Sequence, residues 1–187
     1  RFLSDGTLDP QFGSNGVLRI SQGIDHVGFV NSISVQNNGK ITLGLWRLST
    51  QGQEQEWLVT QINADGSVDT SFASNGTFNF GFGTQPVFVG GIFVQTDAKI
   101  VIVGYDYELF NDDQYRLHFF ALRLHPNGAI DPSYGIDGKY SFAISNATNY
   151  EDFQASMQPD NRLIYADADP TQGYVYFGRL TADGTED

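Results

Sequence analysis

The chain has 187 residues, of which 40% are apolar, and a chain of this length and composition can bury a core, which excludes an intrinsically disordered protein. Its 10 Lys and Arg residues stand against 22 Asp and Glu residues, and the net charge of -12 excludes nucleic acids and anionic membrane surfaces as partners. Cysteine is absent, which excludes a disulfide frame, a thiol nucleophile and a thiolate metal site.

Glycine and aromatic residues are frequent. Gly accounts for 21 residues, about 11% of the chain against a usual share of roughly 7%. Aromatic residues make up 14% of the chain and charged residues only 17%. No apolar stretch approaches the ~18 residues that a membrane helix needs. This composition favours short strands joined by tight turns over a helical bundle.

An Asp-Gly segment recurs along the chain at intervals of about 60 residues. The first copy, Ser4–Gly16, returns as Ala64–Gly76 and as Pro126–Gly138, and a fourth copy begins at Ala182. A second motif recurs in the same phase, over residues 35–41, 94–100 and 157–163. The chain therefore holds three repeats, which cover approximately residues 4–63, 64–125 and 126–181.

Each repeat reads as four β-strands. In the first repeat the strands are predicted over residues 31–36, 40–46, 57–63 and 76–81. The first two are apolar-rich runs joined by a short polar turn, which is a hairpin signal, and the Asp-Gly segment separates the third from the fourth. Equivalent strands are predicted over 91–96, 99–105, 118–124 and 138–143, and over 153–158, 162–167 and 174–180.

Four short strands in each repeat are typical of a β-propeller blade. The run Ile100–Val103 is apolar on both faces, as expected for a strand sandwiched between neighbouring blades. A β-solenoid is the alternative, but its repeats are much shorter. We therefore predict an all-β fold, a β-propeller of four-stranded antiparallel blades. Residues 1–187 supply three blades as a single propeller domain, either half of a six-bladed ring or a fragment of a longer propeller.

The Asp-Gly segment also resembles a known family. Its pattern Asp-Gly-x-x-Asp-x-x-Phe-Gly-x-x-Gly, followed by a strand and a Gln-x-Asp-Gly-Lys hairpin, is similar to the bacterial delta-sixty β-propeller repeat. The copy from Asp5 to Gly16 matches throughout, and the later copies depart from the pattern at Ala73, Ala98, Asn127, Tyr134 and Asn161. The resemblance covers nearly the whole chain. It implies a propeller without catalytic residues in a large exported bacterial protein, located outside the cell, at the cell surface or in the periplasm.

The recurring polar and aromatic positions have structural interpretations. One set of carboxylates is expected to accept hydrogen bonds from nearby backbone N–H groups, as in an Asx-turn: Asp9, Asp69, Asp131 and Asp187. One set of rings is expected to fill the gap between adjacent blades: Phe12, Phe72 and Tyr134. A Ca²⁺ loop at Asp5 and Asp9 is the alternative, but it lacks the D-x-D-x-D-G spacing of an EF-hand-like loop, and a hard cation takes roughly six to eight oxygen ligands.

Motifs for catalysis are sparse. His26, His118 and His125 have no second ligand at a metal-binding spacing, and His118 and His125 are expected to be edge or turn residues. We find no nucleophile elbow and no phosphate loop, and we predict no metal and no cofactor. Four neighbouring carboxylates could supply the pair that a glycosidase needs: Asp106, Glu108, Asp112 and Asp113. The favoured interpretation is that they form a solvated acidic loop.

Loop length varies between the repeats at one end of the blades. The Asp-Gly segment and the first hairpin turn keep their length, whereas the loops between second and third strands and those between blades do not. In an up-and-down blade both variable sets lie on one face, where binding usually occurs. The ligand-binding candidates on this face are Trp46, Tyr105, Tyr107, Phe110, Tyr115, Tyr150 and Tyr174. The alternative is that several of these rings only pack the loops.

We therefore expect a non-enzymatic interaction module that binds a protein or a glycan through the variable loops. A purely structural spacer is one alternative. The other is a hydrolase or lyase with a divalent ion at the central channel, which would need acids at the inner ends of the first strands. Those positions hold Asn31, Ser32, Gly91, Ile92 and Phe153, with Glu151 and Asp152 nearby.

The two ends of the chain supply complementary parts of one blade. Arg1–Leu3 is the tail of a third strand, residues 16–21 are a fourth strand, and residues 153–180 supply three strands without a fourth. Three blades cannot close a ring, because propellers have about four to eight. We predict that residues 16–21 of one copy complete the last blade of another, in a six-bladed homodimer with two-fold symmetry. A longer chain whose further repeats supply these strands is the alternative.

Overall fold

A computed structural model describes residues 1–20, 26–49, 55–80, 87–111, 114–144, 153–169 and 173–187. Within these ranges the chain forms β-strands and turns and no helix, and every strand pairing is antiparallel. The predicted all-β propeller architecture is confirmed. The chain divides into two compact units, Arg1–Phe80 and Gly81–Asp187, which are described separately.

The first unit contains one four-stranded blade. Its strands are β1 (His26–Val35), β2 (Ile41–Ser49), β3 (Gln55–Ile62) and β4 (Thr77–Phe80), and they lie side by side in chain order. The turn between β1 and β2 contains Gly39 at a φ of 81°, a conformation that L-residues with side chains rarely adopt.

The second unit contains a four-stranded blade and a three-stranded blade. The four-stranded blade consists of β5 (Val87–Val94), β6 (Ile100–Asn111), β7 (Gln114–Leu124) and β8 (Lys139–Ile144). The three-stranded blade consists of β9 (Gln154–Met157), β10 (Leu163–Asp169) and β11 (Tyr174–Leu180), with β10 in the centre.

The core of the second unit lies between its two blades. Val101, Val103, Tyr105, Phe119 and Ala121 of β6 and β7 are fully buried. They form one cluster with Phe153, Leu163, Tyr165 and Leu180 from the three-stranded blade. The rings of Phe119 and Tyr165 stack with centroids 4.5 Å apart. Burial on both faces explains the unbroken apolar run in β6.

One glycine in this blade permits a close approach between two strands. Strand β5 has a bulge between Val89 and Gly91, opposite Gly104 of β6. A Cβ atom on Gly104 would lie 1.9 Å from the carbonyl oxygen of Phe88. No side chain fits at that distance, so the bulge requires glycine at this position.

One local prediction was wrong. The loop predicted between the strands 99–105 and 118–124 belongs largely to the hairpin of β6 and β7, whose pairing continues to Asn111 and Gln114. The strand predicted over 16–21 was expected to form by pairing with another copy. Within this single chain Val17 makes an isolated bridge to Ser14, residues 18–20 lie outside any strand, and residue 21 is outside the described residues.

Candidate interaction surface

A buried aspartate recurs at the Asp-Gly end of the blades. Asp9, Asp69 and Asp131 are 7%, 6% and 1% exposed. In each case one carboxylate oxygen accepts the backbone N–H group two residues later, over 2.9 to 3.1 Å: Gln11, Ser71 and Ser133. The predicted Asx-turn is confirmed at these three positions. Asp187, the last residue of the sequence given, shares another bond with these three: each donates its own N–H group to the carbonyl oxygen of the residue eight positions earlier, which for Asp187 is Arg179, over 3.1 Å.

Each of these carboxylates also binds a cation from a neighbouring strand or turn. Asp131 lies 2.8 Å from Nε of Arg123 and 3.2 Å from Nζ of Lys99. The equivalent pairs are Arg1–Asp9, Lys40–Asp69, Arg179–Asp187 and Arg162–Asp187. These cations were not predicted from the sequence, although they recur there: Lys40, Lys99 and Arg162 occupy one repeat position, and Arg1, Arg123 and Arg179 occupy another.

The local environment keeps the Asp131 carboxylate charged. Burial opposes ionisation, but hydrogen bonds from the hydroxyl and N–H groups of Ser133, together with Lys99 and Arg123, lower the pKa of Asp131 well below its usual range. The pKa of Asp69 is also lowered, first by Lys40 and then by Ser71. This end of the blades is therefore held together by internal charge pairs.

The aromatic residues of the Asp-Gly segments join consecutive repeats. Tyr134 is 1% exposed, and the guanidinium carbon of Arg123 lies 4.7 Å from its ring centroid. The same ring lies against Gly184 in the next Asp-Gly turn, and the N–H group of Gly135 donates to the carbonyl oxygen of Asp183 over 2.9 Å. Burial raises the pKa of the Tyr134 hydroxyl. These contacts confirm the expected position of Tyr134 between blades.

The same arrangement occurs in the first unit. The ring of Phe12 lies against Gly66, and the N–H group of Gly13 donates to the carbonyl oxygen of Asp65 over 2.7 Å. Phe72 is fully buried. The Asp-Gly end thus makes repeated internal contacts that are needed to stack the blades.

At the other end of the blades the hairpins differ in length. Within the described residues, strands β6 and β7 have 12 and 11 residues, β2 and β3 have 9 and 8, and β10 and β11 have 7 each. In the sequence, the segment 100–124 that contains β6 and β7 is longer than its counterparts 41–62 and 163–180. The longest hairpin therefore stands on the blade whose central strands are fully buried.

The predicted site residues occupy different environments. Tyr174 is 62% exposed at the start of β11, and Tyr107 of β6 and Trp46 of β2 are half-buried. The Trp46 ring packs on Phe29, with centroids 5.4 Å apart. Phe110 and Tyr115 lie in the backbones of β6 and β7, but their side chains, like all of Tyr150, are outside the described residues.

Tyr105 is a core residue rather than a loop residue. It is fully buried, and its ring packs edge-on against Phe153 with centroids 4.9 Å apart. We predicted Tyr105 at the end of the strand 99–105 and included it among the ligand-binding candidates of the variable-loop face. Strand pairing in fact continues through this segment, and Tyr105 lies opposite Phe119. Its position inside the fold leaves no surface for a ligand to contact.

Two charged residues near this hairpin also differ from expectation. Asp106, predicted in a solvated acidic loop, is 7% exposed and its Oδ2 atom lies 2.6 Å from Nζ of Lys139. His118, predicted at an edge or turn, lies in β7 between its partners Asp106 and Ala143. His125 does lie in the turn that follows β7, as predicted. Of the remaining acids, Glu108 lies in β6 with its side chain outside the described residues, and Asp112 and Asp113 are wholly outside them.

The inner-strand positions considered for metal chemistry carry mixed side chains. Asn31 is exposed, whereas Ile92 and Phe153 are buried. Glu151 and Asp152 lie outside the described residues. Within the part of the chain that the structure describes, no group of three or more His, Asp or Glu residues could hold a metal ion.

Comparison with known proteins identifies a similar repeat family. Residues 36–72 and 95–134 match the family model described as "Domain of unknown function (DUF5122) beta-propeller". Each match begins at the first hairpin turn of a repeat and runs to the ring of the Asp-Gly segment, as far as Phe72 and Tyr134. No curated protein and no solved structure matches the chain. Among the described residues, no helix is long and apolar enough to span a membrane.

Proposed function

We propose that this chain is a non-enzymatic β-propeller interaction module, which binds a protein or glycan partner at the end of the blades opposite the Asp-Gly segments. The extended hairpin of β6 and β7 carries this proposal. Its segment, residues 100–124, is longer in sequence than the counterparts 41–62 and 163–180, and it stands on a blade whose central strands are buried. Variable segments on a rigid scaffold are the usual place for recognition.

The side chains at this end suit such a role. Tyr174 is exposed and Tyr107 is half-buried, and both have an apolar ring with a polar hydroxyl. Such rings stack on sugars and contribute strongly at protein interfaces. At the Asp-Gly end, by contrast, the aromatic rings are buried between repeats and the carboxylates are occupied by cations.

The resemblance to the delta-sixty repeat supports a setting for this module. We infer that it belongs to an exported or surface-exposed bacterial protein. The absence of cysteine and the acidic surface are compatible with that setting. Protease treatment of intact source cells tests it, since an exposed chain is cleaved and a cytosolic chain is protected.

Binding is tested with a glycan array and with a pull-down from surface extracts, using the chain of residues 1–187. Tyr107→Ala and Tyr174→Ala are expected to reduce capture by about tenfold each if these rings contact the partner. Ile136→Ala is the control, because Ile136 is 81% exposed in an Asp-Gly segment. Blank results in both assays with folded protein would contradict the proposal and favour a structural spacer.

A further inference from the structure

Two apolar faces are exposed, one in each unit. On β1, the side chains of Ile33 and Val35 are 63% and 68% exposed. On β11, Val175 and Phe177 are 74% and 73% exposed. Contiguous exposed apolar surface of this kind marks an interface. The internal repeat shows what covers each face.

The β10–β11 face is equivalent to a face that is buried elsewhere in the same unit. Val103 and Tyr105 of β6 lie opposite Ala121 and Phe119 of β7. In the third repeat, Ala166 and Ala168 lie opposite Phe177 and Val175. The exposed Phe177 and Val175 thus correspond to Ala121 and Phe119, which are fully buried against the three-stranded blade. A following blade is what covers this kind of face.

The β1–β2 face is equivalent to the surface on which that blade packs. In the three-stranded blade, Met157 lies opposite Leu163, and both belong to the core cluster or pack against it. In the first repeat the corresponding pair is Val35 and Ile41. Here the face lines an apolar cleft of about 560 Å³, together with Ile33, Leu43, Leu18 and Ile20. A preceding blade is what covers this kind of face.

We propose that a second copy of this chain covers both faces. The β10–β11 face of one copy docks on the β1–β2 face of the other, and the remaining two faces make the reciprocal contact. The occupant is a second copy because the two exposed faces correspond to the two sides of one blade-to-blade contact already formed in the second unit. Apolar surface is then buried at both places.

The same docking supplies the missing fourth strand. In the two four-stranded blades, a residue of the third strand donates its N–H group to the carbonyl oxygen of the glycine just before the fourth strand. Gln61 donates to Gly76 and Arg123 to Gly138, each over 3.0 Å. The equivalent residue in the last blade is Arg179, and the equivalent fourth strand is Val17–Ile20. Within the described residues no strand pairs with the outer edge of β11. The pairing Thr60–Thr77 places Val17 of the second copy opposite Gly178 of the first.

The first nine residues compete with this arrangement. Residues 1–9 and 179–187 adopt the same turn, in which Leu3 donates to Thr7 and Thr181 to Thr185, each over 2.8 Å. Arg1 donates to the carbonyl oxygen of Ala64, as Arg123 donates to that of Ala182. By this equivalence, Arg179 of the docking copy would donate to the carbonyl oxygen of Ala64 in the receiving copy. Arg1 of the receiving copy already donates to that oxygen. Residues 1–9 of the receiving copy must therefore leave, and Pro10 then follows Asp187 of the first copy in space.

Sedimentation velocity of the full chain tests the proposal. The wild-type chain is expected to associate to twice its mass of 20.7 kDa. Ile33→Asp and Phe177→Asp each place a charge in the interface and are expected to weaken association by about 100-fold or more. Val175→Asp provides a second variant of the β11 face, and Ile136→Asp is the exposed control. Circular dichroism confirms that each variant is folded.

Mixing the variants tests the head-to-tail geometry. A mixture of Ile33→Asp and Phe177→Asp retains one intact interface, formed by the unmodified face of each variant, so association should partly return. An interface between identical faces would not respond in this way, and that result would overturn the proposal. A wild-type chain that stays monomeric at high concentration would also overturn it, since further repeats of a longer polypeptide would then be the occupant.

Two equivalent arginines test the competition. Arg1→Ala is expected to strengthen association by about tenfold, because it weakens the segment that must leave. Arg179→Ala is expected to weaken association by about the same factor, because it removes the incoming donor. Equal effects of the same sign would overturn the competition between residues 1–9 and 179–187.

Discussion

Gly184 lies against the ring of Tyr134, so that a Cβ atom at position 184 would be only 2.6 Å from Cε1 of Tyr134. Gly184 also has a φ of 81°. The glycine of the Asp-Gly turn thus has two separate requirements, a left-handed backbone and space for an aromatic ring from the preceding repeat. Gly66 has a φ of 88°, and a Cβ atom there would lie 2.6 Å from the N atom of Gly13 and 3.3 Å from the Phe12 ring.

Gly184→Ala is expected to destabilise the second unit by about 2 to 4 kcal/mol, from backbone strain and from displacement of the Tyr134 ring. Gly173→Ala is the matched control, because Gly173 has a φ of 71° and no atom within 4 Å of an added Cβ. It should cost only about 1 to 2 kcal/mol. Urea unfolding followed by circular dichroism measures both. Equal costs would mean that contact with the ring contributes nothing.

Arg123 and Arg179 occupy the same repeat position but differ in burial. The side chain of Arg123 is 6% exposed, whereas that of Arg179 is 44% exposed. Arg123→Met removes a cation from a buried ion pair and should cost about 3 kcal/mol. Arg179→Met should cost less than about 1 kcal/mol, since exposed ion pairs contribute little. The free energy of unfolding in urea measures the difference. A similar cost at both positions would contradict the importance of burial here.

Acid should destabilise the fold through the recurring aspartates. Burial opposes ionisation of Asp131, but Ser133, Lys99 and Arg123 lower its pKa below the usual value of 3.8. The stabilisation is therefore fully present above a pH of about 4 and is lost as the pH falls below it. The free energy of unfolding, measured from pH 6 down to about pH 2, should decrease over the lower half of that range.

Asp131→Asn tests the assignment of this pH dependence. The variant should be less stable than the wild type at neutral pH, because Arg123 and Lys99 lose their carboxylate partner. It should also lose part of the decrease in stability below pH ~4. An unchanged pH profile in the variant would mean that other carboxylates are responsible.

The repeat made the fold predictable, whereas individual side-chain environments were less so. A spacing of about 60 residues and the turn chemistry of Asp9, Asp69 and Asp131 depend on local sequence, and the structure confirms both. The burial of Tyr105 depends on how far strand pairing continues from Ile100, which local composition did not show. Asp106, the first acid after Tyr105, resembled a loop residue because its cation partner Lys139 is distant in sequence.

The candidate surface was predictable only at its exposed positions. Tyr174 follows a short loop directly and is exposed as expected. Residues 18–20 show the converse case, in which a sequence typical of a strand lies outside any strand of the single chain. Strand propensity is expressed only where a neighbouring strand accepts the hydrogen bonds.

Phe72→Ala is expected to cost about 3 to 5 kcal/mol, the range for emptying a buried aromatic site. Phe72 is fully buried, and two backbone hydrogen bonds hold it in the turn. Its N–H group donates to the carbonyl oxygen of Asp69 over 3.0 Å, and its carbonyl oxygen accepts the N–H group of Gly76 over 2.7 Å. Because its neighbours are held by these bonds, the cavity cannot collapse freely. Phe2→Ala is the matched control, since Phe2 is 70% exposed in the same unit. Its cost in urea unfolding should be under about 1 kcal/mol. A cost this small for Phe72→Ala would mean that the ring does not support the packing of the Asp-Gly segment.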